Sequence, residues 1–491
     1  MTFIGLSRPL RQHPAASGLL TPRASALLLS LWLALAAPLA GADTLDFQQC
    51  VALALRQNPG LAATQSQIAQ AEAGLKQAQG SRSPKVTLSL NGTYTNDALS
   101  SFGLKLSQRG ATFGDFGFAD FLAASQAQMP TDAMLAIAPD RLNQPDAVRN
   151  FNTRIEAQMP LYTGGLIEGY VKQAQSHVKA AQSGDLAARQ QVTFHVLQAY
   201  EGTHSARAYV EVAKQSELAA QAYVKTIENL LKQGVVVKSD LLSAQIFLEN
   251  VRVQAKQAQN AADAALDQLH LLLGLPLTAP LELGARVLPA LLPGGTTELR
   301  QQALARHPGL NAMRGQLAGA DAGVQVASAG YYPQVGLLLR QDWNDKNLAL
   351  GAGAYTVGAQ LSWNVFDAGV TKAAVGRAAG ARAELAARLQ EAEDGIGFQV
   401  GDALRRASVA QQRVAVHELS VTQATEALNL VEKRYKNGVS TIVELLAARA
   451  QLDKAQADRV AAQYELAVQR AALKLAVGAL DDELTSPSSA P

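Results

Sequence analysis

Cysteine is nearly absent from this 491-residue chain. Cys50 is the one cysteine, so no disulfide can form within the chain. An excess of one charge is also lacking, because 43 Lys and Arg against 41 Asp and Glu leave a formal net charge of +2. Nucleic-acid-binding proteins concentrate positive charge, so we expect no nucleic-acid partner. Aromatic residues make up 5% and hydrophobic residues 48% of the chain, which favours close-packed helices rich in Ala, Val and Leu.

The common sequence signatures of enzymes are missing as well. The chain has no G-x-S-x-G, no Walker loop, no H-E-x-x-H and no C-x-x-C. His195 and His204 fall on one predicted helix, but not at the i, i+4 spacing that would direct both toward one metal ion. We therefore predict no catalytic, metal-binding or cofactor-binding residues, and we interpret the two histidines as surface or helix-contact residues.

Residues 1–42 have the pattern of an export signal. Three arginines supply positive charge, residues 26–35 form an apolar core, and the A-G-A sequence at 40–42 places small residues where a signal peptidase cleaves. A membrane anchor is disfavoured because the apolar run is shorter than the roughly 20 residues that a bilayer requires. We expect cleavage after Ala42, and no lipid anchor, because Ala42 stands where an acylated cysteine would be needed.

A tandem repeat with a constant spacing of 204 residues runs through the chain. Its matching elements are P-L-Y-T-G-G at 160–165 with N-V-F-D-A-G at 364–369, K-Q-G-V at 232–235 with K-N-G-V at 436–439, and Gly274 with Gly478. No gap is needed over this span. The spacing therefore indicates a duplicated unit in which a strand is followed by a helical hairpin.

The segments that precede these units are spaced by 249 residues instead, as shown by N-P-G-L at 58–61 and H-P-G-L at 307–310. Because 249 exceeds 204, the first copy must carry an insertion of about 45 residues, which falls within 97–150. We expect a first repeat over 43–275, a linker over 276–295, a second repeat over 296–480 and a disordered tail over 481–491.

Four segments of about ten residues alternate between apolar and polar side chains, the pattern of strands with two unlike faces. They begin near Lys85, Phe151, Val335 and Tyr355. Their length matches a bilayer crossing with lipid on one face and water on the other. A soluble sheet would show the same alternation, but the rest of the chain is helical and has contact faces of its own. Four strands cannot close a barrel, and open edges in lipid are costly, so we expect several chains to pool their strands.

Two very long helices are predicted, from Gly165 to about Lys232 and from Gly369 to Lys436, each roughly 100 Å long. A glycine-containing turn and a shorter return helix follow each of them. The alternating steps of four and three that mark a coiled coil occur in the second return helix and in the first long helix, where they fall on Tyr209, Ala213, Ser216, Ala220, Tyr223, Ile227 and Leu230. The insertion at 97–150 has phenylalanines amid Gly, Ser and Asp, which predicts a long, partly ordered surface loop.

Taken in order, the export signal, the N-P-G-L and H-P-G-L openings, the two strand-to-helix junctions and the two K-x-G-V turns resemble the TolC-type outer-membrane efflux proteins. The resemblance extends over essentially the whole mature chain. It implies a mixed α and β membrane protein: a homotrimer whose chains contribute four strands each to a twelve-stranded transmembrane β-barrel. That barrel would be continued by an α-helical coiled-coil barrel across the periplasm.

The resemblance also implies a function. The trimer would be a passive exit duct in outer-membrane lipid, joined by a periplasmic adaptor protein to an inner-membrane pump that expels small molecules such as drugs. One alternative is the outer-membrane channel of a type I protein secretion system, and another is a periplasmic coiled-coil scaffold without a pore. The alternating strands argue against the scaffold, whereas no sequence feature separates the two export roles. With the helices in the periplasm, the segment 97–150 falls outside the cell.

In that family the two hairpin turns form the periplasmic tip, which closes the channel and contacts the adaptor. Asp240 and Tyr435 correspond to an aspartate and a tyrosine that bond between neighbouring hairpins in the closed state. The other candidates flank the turns: Gly234, Val235, Ser239, Gly438, Val439, Ser440 and Glu444. Local roles are open as well, with Ser239 as a helix cap and Thr441 with Glu444 as a capping box.

Two positions depart from the family pattern. Ser440 stands where the pattern has an arginine, and Ala447 stands where it has an aspartate that forms a charged ring. The gate is therefore expected to depend on fewer or different bonds. Apolar contacts among Val235, Val236 and Val439 are the alternative.

Overall fold

The computed structural model describes residues 44–480, so the predicted signal at 1–42 and the predicted tail at 481–491 lie outside the described residues. The strands are β1 (Thr44–Leu45), β2 (Lys85–Thr95), β3 (Val148–Tyr162), β4 (Glu282–Leu283), β5 (Gln334–Asp345) and β6 (Gly353–Ser362). The helices are α1 (Phe47–Gln57), α2 (Pro59–Gly80), α3 (Ala98–Ser107), α4 (Phe118–Gln126), α5 (Thr131–Leu135), α6 (Asp140–Asn143), α7 (Leu166–Lys232), α8 (Lys238–Leu273), α9 (Thr296–Arg306), α10 (Pro308–Ser328), α11 (Val370–Lys436) and α12 (Ile442–Val477). Among residues 44–480 there is no helix of the length and apolarity that a membrane crossing needs.

The two halves of the chain have the same element lengths. Helices α7 and α11 contain 67 residues each and α8 and α12 contain 36 each, and their bounds differ by the same 204 positions as the sequence motifs. At 1.5 Å per residue the long helices extend about 100 Å. The predicted outgoing and return helices are confirmed.

The N-P-G-L sequence at 58–61 forms the break between α1 and α2. The side chain of Asn58 accepts a 2.8 Å hydrogen bond from the backbone N–H of Gly60, and Pro59 is the first residue of α2. Proline suits that position because its missing N–H would have no partner there. Upstream, Asp46 and Gln49 form a reciprocal capping box that starts α1.

The linker between the repeats forms part of the core, which the sequence did not predict. Strand β4 of the linker pairs in parallel with β1, and Leu281 joins a buried cluster with Phe47, Cys50 and Tyr200. Leu197 and Leu273 are fully buried in the same cluster. The beginning of the first repeat and the linker therefore pack together against the middle of α7.

Short helices lie beside the N-terminal half of α7, where α8 does not reach. Helix α2 contacts it through Thr64, whose hydroxyl donates a 2.5 Å hydrogen bond to Asp185. Helix α10 approaches so closely that a Cβ on Gly315 would lie 3.0 Å from the Cβ of Ala180. Small residues therefore set the distance between these helices, in agreement with the composition.

The expectation of a partly ordered loop at 97–150 was wrong. The segment contains the four helices α3 to α6, and its Ser101 is fully buried. Lys105 pairs with Asp115 at 2.6 Å, and the rings of Phe102 and Phe116 meet edge to face at 5.0 Å. Internal ion pairing and ring packing give the insertion a folded structure of its own.

Candidate functional site

The sheet has two unlike faces and two open edges. Its order is β2-β3-β5-β6, with every neighbouring pair antiparallel, so β2 and β6 are the outer strands. The predicted strands are confirmed, although β3 begins at Val148 and β6 at Gly353, a few residues earlier than predicted. The apolar face is exposed: Leu88 is 70% exposed and Tyr355 is 82% exposed. Such a face is unusual in a protein surrounded by water.

The opposite face carries a network of charged and amide side chains. Asp342 is 8% exposed and accepts from Arg154 Nε at 2.7 Å, and its other oxygen lies 3.0 Å from Arg340 Nε. Asn152 donates to the same carboxylate at 3.2 Å and to Asn344 at 3.2 Å. Cross-strand contacts of this kind fix the register of β3 against β5.

The two hairpin turns are built alike. Gly234 and Gly438 have positive φ angles of 75° and 73°, which glycine adopts without strain. The backbone N–H of Val235 donates to the carbonyl of Leu230 at 2.9 Å, and that of Val439 donates to Arg434 at 2.9 Å. These bonds satisfy carbonyl groups at the ends of α7 and α11 and reverse the chain direction.

An apolar cluster, which we call the tip cluster, joins the two turns. Its buried residues come from all four helices of the two hairpins, α7, α8, α11 and α12: Ile227, Ala244, Ala424, Leu428, Ile442, Leu445, Leu452 and Ala455. Val236 and Tyr435 pack against it, whereas Val235 and Val439 are 66% and 68% exposed. The three valines therefore do not form one apolar contact within a single chain.

Asp240 and Tyr435 are near each other in the same chain. Burial, and then the negative charge of Asp240, raise the pKa of Tyr435. The Tyr435 hydroxyl is buried and has no hydrogen-bond partner among the described residues. A buried hydroxyl without a partner carries a desolvation cost, so this group is suited to accept a bond from outside the chain or to donate one.

The remaining candidates have local contacts. The expectation that Ser239 caps the return helix was wrong, because α8 begins at Lys238 after Val237, whose backbone is extended. Thr441 does cap α12, accepting from the Glu444 backbone N–H at 3.3 Å. The Glu444 carboxylate accepts from the Ser440 hydroxyl, so the side-chain half of the predicted capping box is replaced by a bond across the turn.

Polar bonds between the two hairpins are a feature that the sequence reasoning missed. Tyr223 on α7 donates a 2.5 Å hydrogen bond to Glu432 on α11. Ser216 on α7 donates at 2.5 Å to Asp453 on α12, which also pairs with Arg449 at 2.9 Å. Both Ser216 and Tyr223 fall on the predicted apolar spacing of α7, and a polar residue on such a spacing is the signal that could have revealed them.

The linker is held to α7 by a buried carboxylate. Glu201 is 1% exposed and accepts from Arg286 Nη2 at 2.8 Å and from the Val287 backbone N–H at 2.7 Å. Tyr200 donates to the Ala285 carbonyl at 3.0 Å, and burial raises its pKa to about 12. The linker of 276–295 is thus tied to the first long helix.

The histidines of α7 lie in this same region. His195 contacts Gln191 and Gln198, whereas the ring of His204 packs edge to face on Tyr200 at 4.9 Å. Burial lowers the pKa of His204. Among residues 44–480, no group of His, Cys, Asp and Glu side chains could hold a metal ion.

Comparisons with known proteins agree with this architecture. Residues 50–275 and 299–479 match the family described as outer membrane efflux protein. The chain is 26% identical over 304 residues to the alkaline protease secretion protein AprF of Pseudomonas aeruginosa, covering 60% of this chain and 62% of AprF. It is 24% identical over 295 residues to the toluene efflux pump outer membrane protein TtgC of Pseudomonas putida, covering 54% of this chain and 60% of TtgC. The chain thus spans less than two thirds of the length of these two relatives.

Protein CyaE of Bordetella pertussis is 29% identical over 349 residues, covering 68% of this chain and 72% of CyaE. Two solved structures share the fold at 18% identity: CusC, with a TM-score of 0.73 over 88% of this chain and 91% of the other, and the outer membrane protein VceC of Vibrio cholerae, with 0.70 over 88% and 96%. The family match covers most of the chain. The protein therefore belongs to the outer membrane efflux protein family: it is a transport protein of the outer membrane with its helical part in the periplasm, and not an enzyme.

Proposed function

We propose that three copies of this chain form a passive exit duct through the outer membrane. The observation that carries the proposal is the sheet, which exposes one apolar face and ends in β2 and β6 at two open edges. An open edge in lipid leaves backbone groups unpaired, and pairing β2 of one chain with β6 of the next removes that cost. Three sheets joined in this way make a twelve-stranded barrel with the polar network of Arg154 and Asp342 inside.

The test of assembly is the mass of the purified protein in detergent, with the bound detergent subtracted. We expect three protomers. Paired cysteines placed on β2 and β6, in a Cys50→Ala background, should cross-link chains to one another and give a covalent trimer. A stable monomer that needs no detergent would contradict the proposal.

The long hairpins would form the periplasmic barrel, and their turns would form a closed tip that an adaptor protein opens for an inner-membrane pump. Support comes from the tip cluster, which brings both turns to one end of the molecule. We assign Asp240 and Tyr435 to bonds between neighbouring hairpins at this tip, with Gly234 and Gly438 shaping the turns. Val235, Ser239, Val439 and Glu444 are exposed at this tip, and Ser440 is half-buried. The division into repeats at 43–275 and 296–480, joined by the linker, belongs to the same proposal.

The cargo that we propose is small molecules such as drugs, in keeping with the relative TtgC, which is a toluene efflux pump outer membrane protein. AprF, a protease secretion protein, favours type I protein export as the second candidate. Deleting the gene and measuring both drug susceptibility and secreted protein separates the two. Increased susceptibility with unchanged secretion supports small-molecule export, and the reverse result supports protein export.

The insertion at 97–150 would lie outside the cell, because α2 and α7, the helices that flank its two strands, both lie at the opposite end of the sheet. Ser107 is exposed at the end of α3. Ser107→Cys in a Cys50→Ala background should react with a membrane-impermeant reagent on intact cells. Labelling that requires a permeabilised outer membrane would reverse this orientation.

A further inference from the structure

The insertion bends over the polar face of the sheet instead of extending away from it. Ser101 near the start of α3 donates to the Thr95 carbonyl at the end of β2 at 3.0 Å. Gln108, at the end of α3, donates to Asn150 Oδ1 on β3 at 3.0 Å. Arg109 then donates to the Gly353 carbonyl on β6 at 2.8 Å. One helix therefore contacts the first and second strands and brings Arg109 to the last.

The dimensions agree with a helix that crosses the sheet. The ten residues of α3 extend about 15 Å. Three steps between neighbouring strands, from β2 to β6, add up to about 14 Å. The helix is thus long enough to cover all four strand ends.

The face that α3 covers is the polar one. Asn150 alternates with Asn152 and Arg154 along β3, so their side chains share a face. The side chain of Asn150 donates to Asn344 at 3.0 Å, and Asn344 accepts from Asn152 as well. Although it lies near the end of its strand, Asn150 is 2% exposed, because the insertion covers it.

The insertion is braced as one body. Asp115 pairs with Lys105 of α3 at 2.6 Å and accepts from the Thr112 backbone at 2.8 Å, and these bonds lower the pKa of Asp115 to about 2. Phe116 packs on Phe102 of α3. Asp115 and Phe116 are therefore held against α3, and the contacts of α3 with the sheet set their position as well.

Arg109 has a strained backbone. Its φ angle is 55°, in the left-handed region that favours glycine, although Gly110 is the next residue. Strain of this kind persists where the surrounding contacts hold the residue in place. The bond from the Arg109 guanidinium to β6 is such a contact.

We propose that this insertion is a size-selecting constriction at the outer mouth of the duct. The inference rests on the proposed function, in which the polar face lines the pore. Each of three chains would then place α3 across its own third of the pore wall and narrow the opening. The second repeat has only residues 346–352 between β5 and β6, so each chain contributes one such element. A narrowed mouth passes small solutes and holds back bulky ones, which favours small molecules as the exported class.

The test is thiol labelling from outside intact cells. Thr87→Cys, in a Cys50→Ala background, places a thiol on the polar face about 26 Å below the insertion, at 3.3 Å per residue from Thr95. With the insertion intact, a small charged methanethiosulfonate should label this thiol and a bulky polyethylene-glycol maleimide should not. Replacing residues 99–146 by a short Gly-Ser connector should let both reagents label it. The matched control, Leu88→Cys on the apolar face, should react with neither reagent.

Arg109→Gly is the second variant, because it removes the bond to Gly353 while relieving the backbone strain. We expect it to raise the labelling rate of the bulky reagent severalfold while the trimer yield is unchanged. Equal labelling by the bulky reagent with the insertion intact would overturn the constriction and leave the pore assignment standing. Failure of both reagents after the replacement, in a chain that still forms trimers, would instead overturn the pore assignment and this inference with it.

Discussion

The hydroxyl of Tyr223 donates a 2.5 Å hydrogen bond to the carboxylate of Glu432, and this bond joins α7 of one hairpin to α11 of the other. Both side chains are partly buried beside the tip cluster. Burial, and then the bond to Glu432, raise the pKa of Tyr223, so the hydroxyl keeps its proton and remains a donor. A hydrogen bond to a charged group contributes about 1.5 to 3 kcal/mol.

We therefore predict that Tyr223→Phe loosens the two hairpins. Loss of about 1.5 kcal/mol per chain, repeated three times in the proposed trimer, is enough to move the proposed closed tip toward its open state. Planar-bilayer recordings should show a higher open probability at an unchanged trimer yield. Tyr209→Phe, on the same helix but outside the tip cluster, is the control and should conduct like the parent protein. Equal open probabilities for Tyr223→Phe and Tyr209→Phe would contradict the prediction.

The gate residues at the tip are tested by a second pair of variants. Asp240→Ala combined with Tyr435→Phe should raise conductance and drug leakage if the Tyr435 hydroxyl, which has no hydrogen-bond partner among residues 44–480, bonds to a neighbouring hairpin in the closed tip. Val235→Ser combined with Val439→Ser tests the apolar alternative, since both valines are exposed in one chain. If conductance and drug leakage rise in the valine variant alone, the gate consists of apolar contacts.

Breaking the buried bond between the linker and α7 should destabilise the protein. Glu201→Gln keeps the shape of the side chain but removes the charge that pairs with Arg286. Glu201 is buried, but Arg286 is 35% exposed and can be rehydrated, so the loss should match a hydrogen bond to a charged group, about 1.5 to 3 kcal/mol. Denaturant unfolding in detergent should show this decrease in the free energy of unfolding. The control is Glu465→Gln, whose pair with Arg413 is largely exposed and should contribute about 1 kcal/mol or less.

The contact between α2 and α7 should weaken in acid. Burial alone would raise the pKa of Asp185, but hydrogen bonds from Arg189 and then Thr64 outweigh it, and the pKa is lowered. The folded state therefore binds this proton less readily than the unfolded state, whose aspartate pKa is about 3.9. The stabilisation is present above that pH and is lost as the pH falls through the lower folded value.

Asp185→Asn should remove this part of the acid dependence. Hydrogen exchange of α2 amides, measured between neutral and acidic pH, should show α2 opening in the parent protein as the pH falls. In the variant, α2 should open more readily at neutral pH and change less with acid. An identical pH profile in the two proteins would show that Asp185 does not link the helices.

Much of the architecture could be read from local sequence signals. Asn58 and Pro59 mark a helix start. The Asn58 side chain accepts from a backbone N–H of the first turn, and Pro59 has no N–H that would need a partner there. Alternation over 85–95 predicted β2 with its bounds, and Gly234 and Gly438 predicted both turns, since each signal depends on neighbours close in the chain. The constant spacing of 204 residues predicted the matching bounds of the long helices.

Contacts between distant residues were decided by the tertiary structure alone. Nothing near Glu201 in sequence indicates that its partner is Arg286, and the same holds for Tyr223 with Glu432 and Gln108 with Asn150. Composition predicted a long, partly ordered surface loop for the insertion, because its Gly, Ser and Asp residues have little preference for a helix or a strand. Its helices form because Lys105, Asp115 and the strand ends provide partners there. The sequence by itself determined the four strands of the sheet, the long helices and their turns, because propensities acting over a few residues specify them. Packing against distant residues determined the helices of the insertion, the pairing of β1 with β4 and the faces that each element covers.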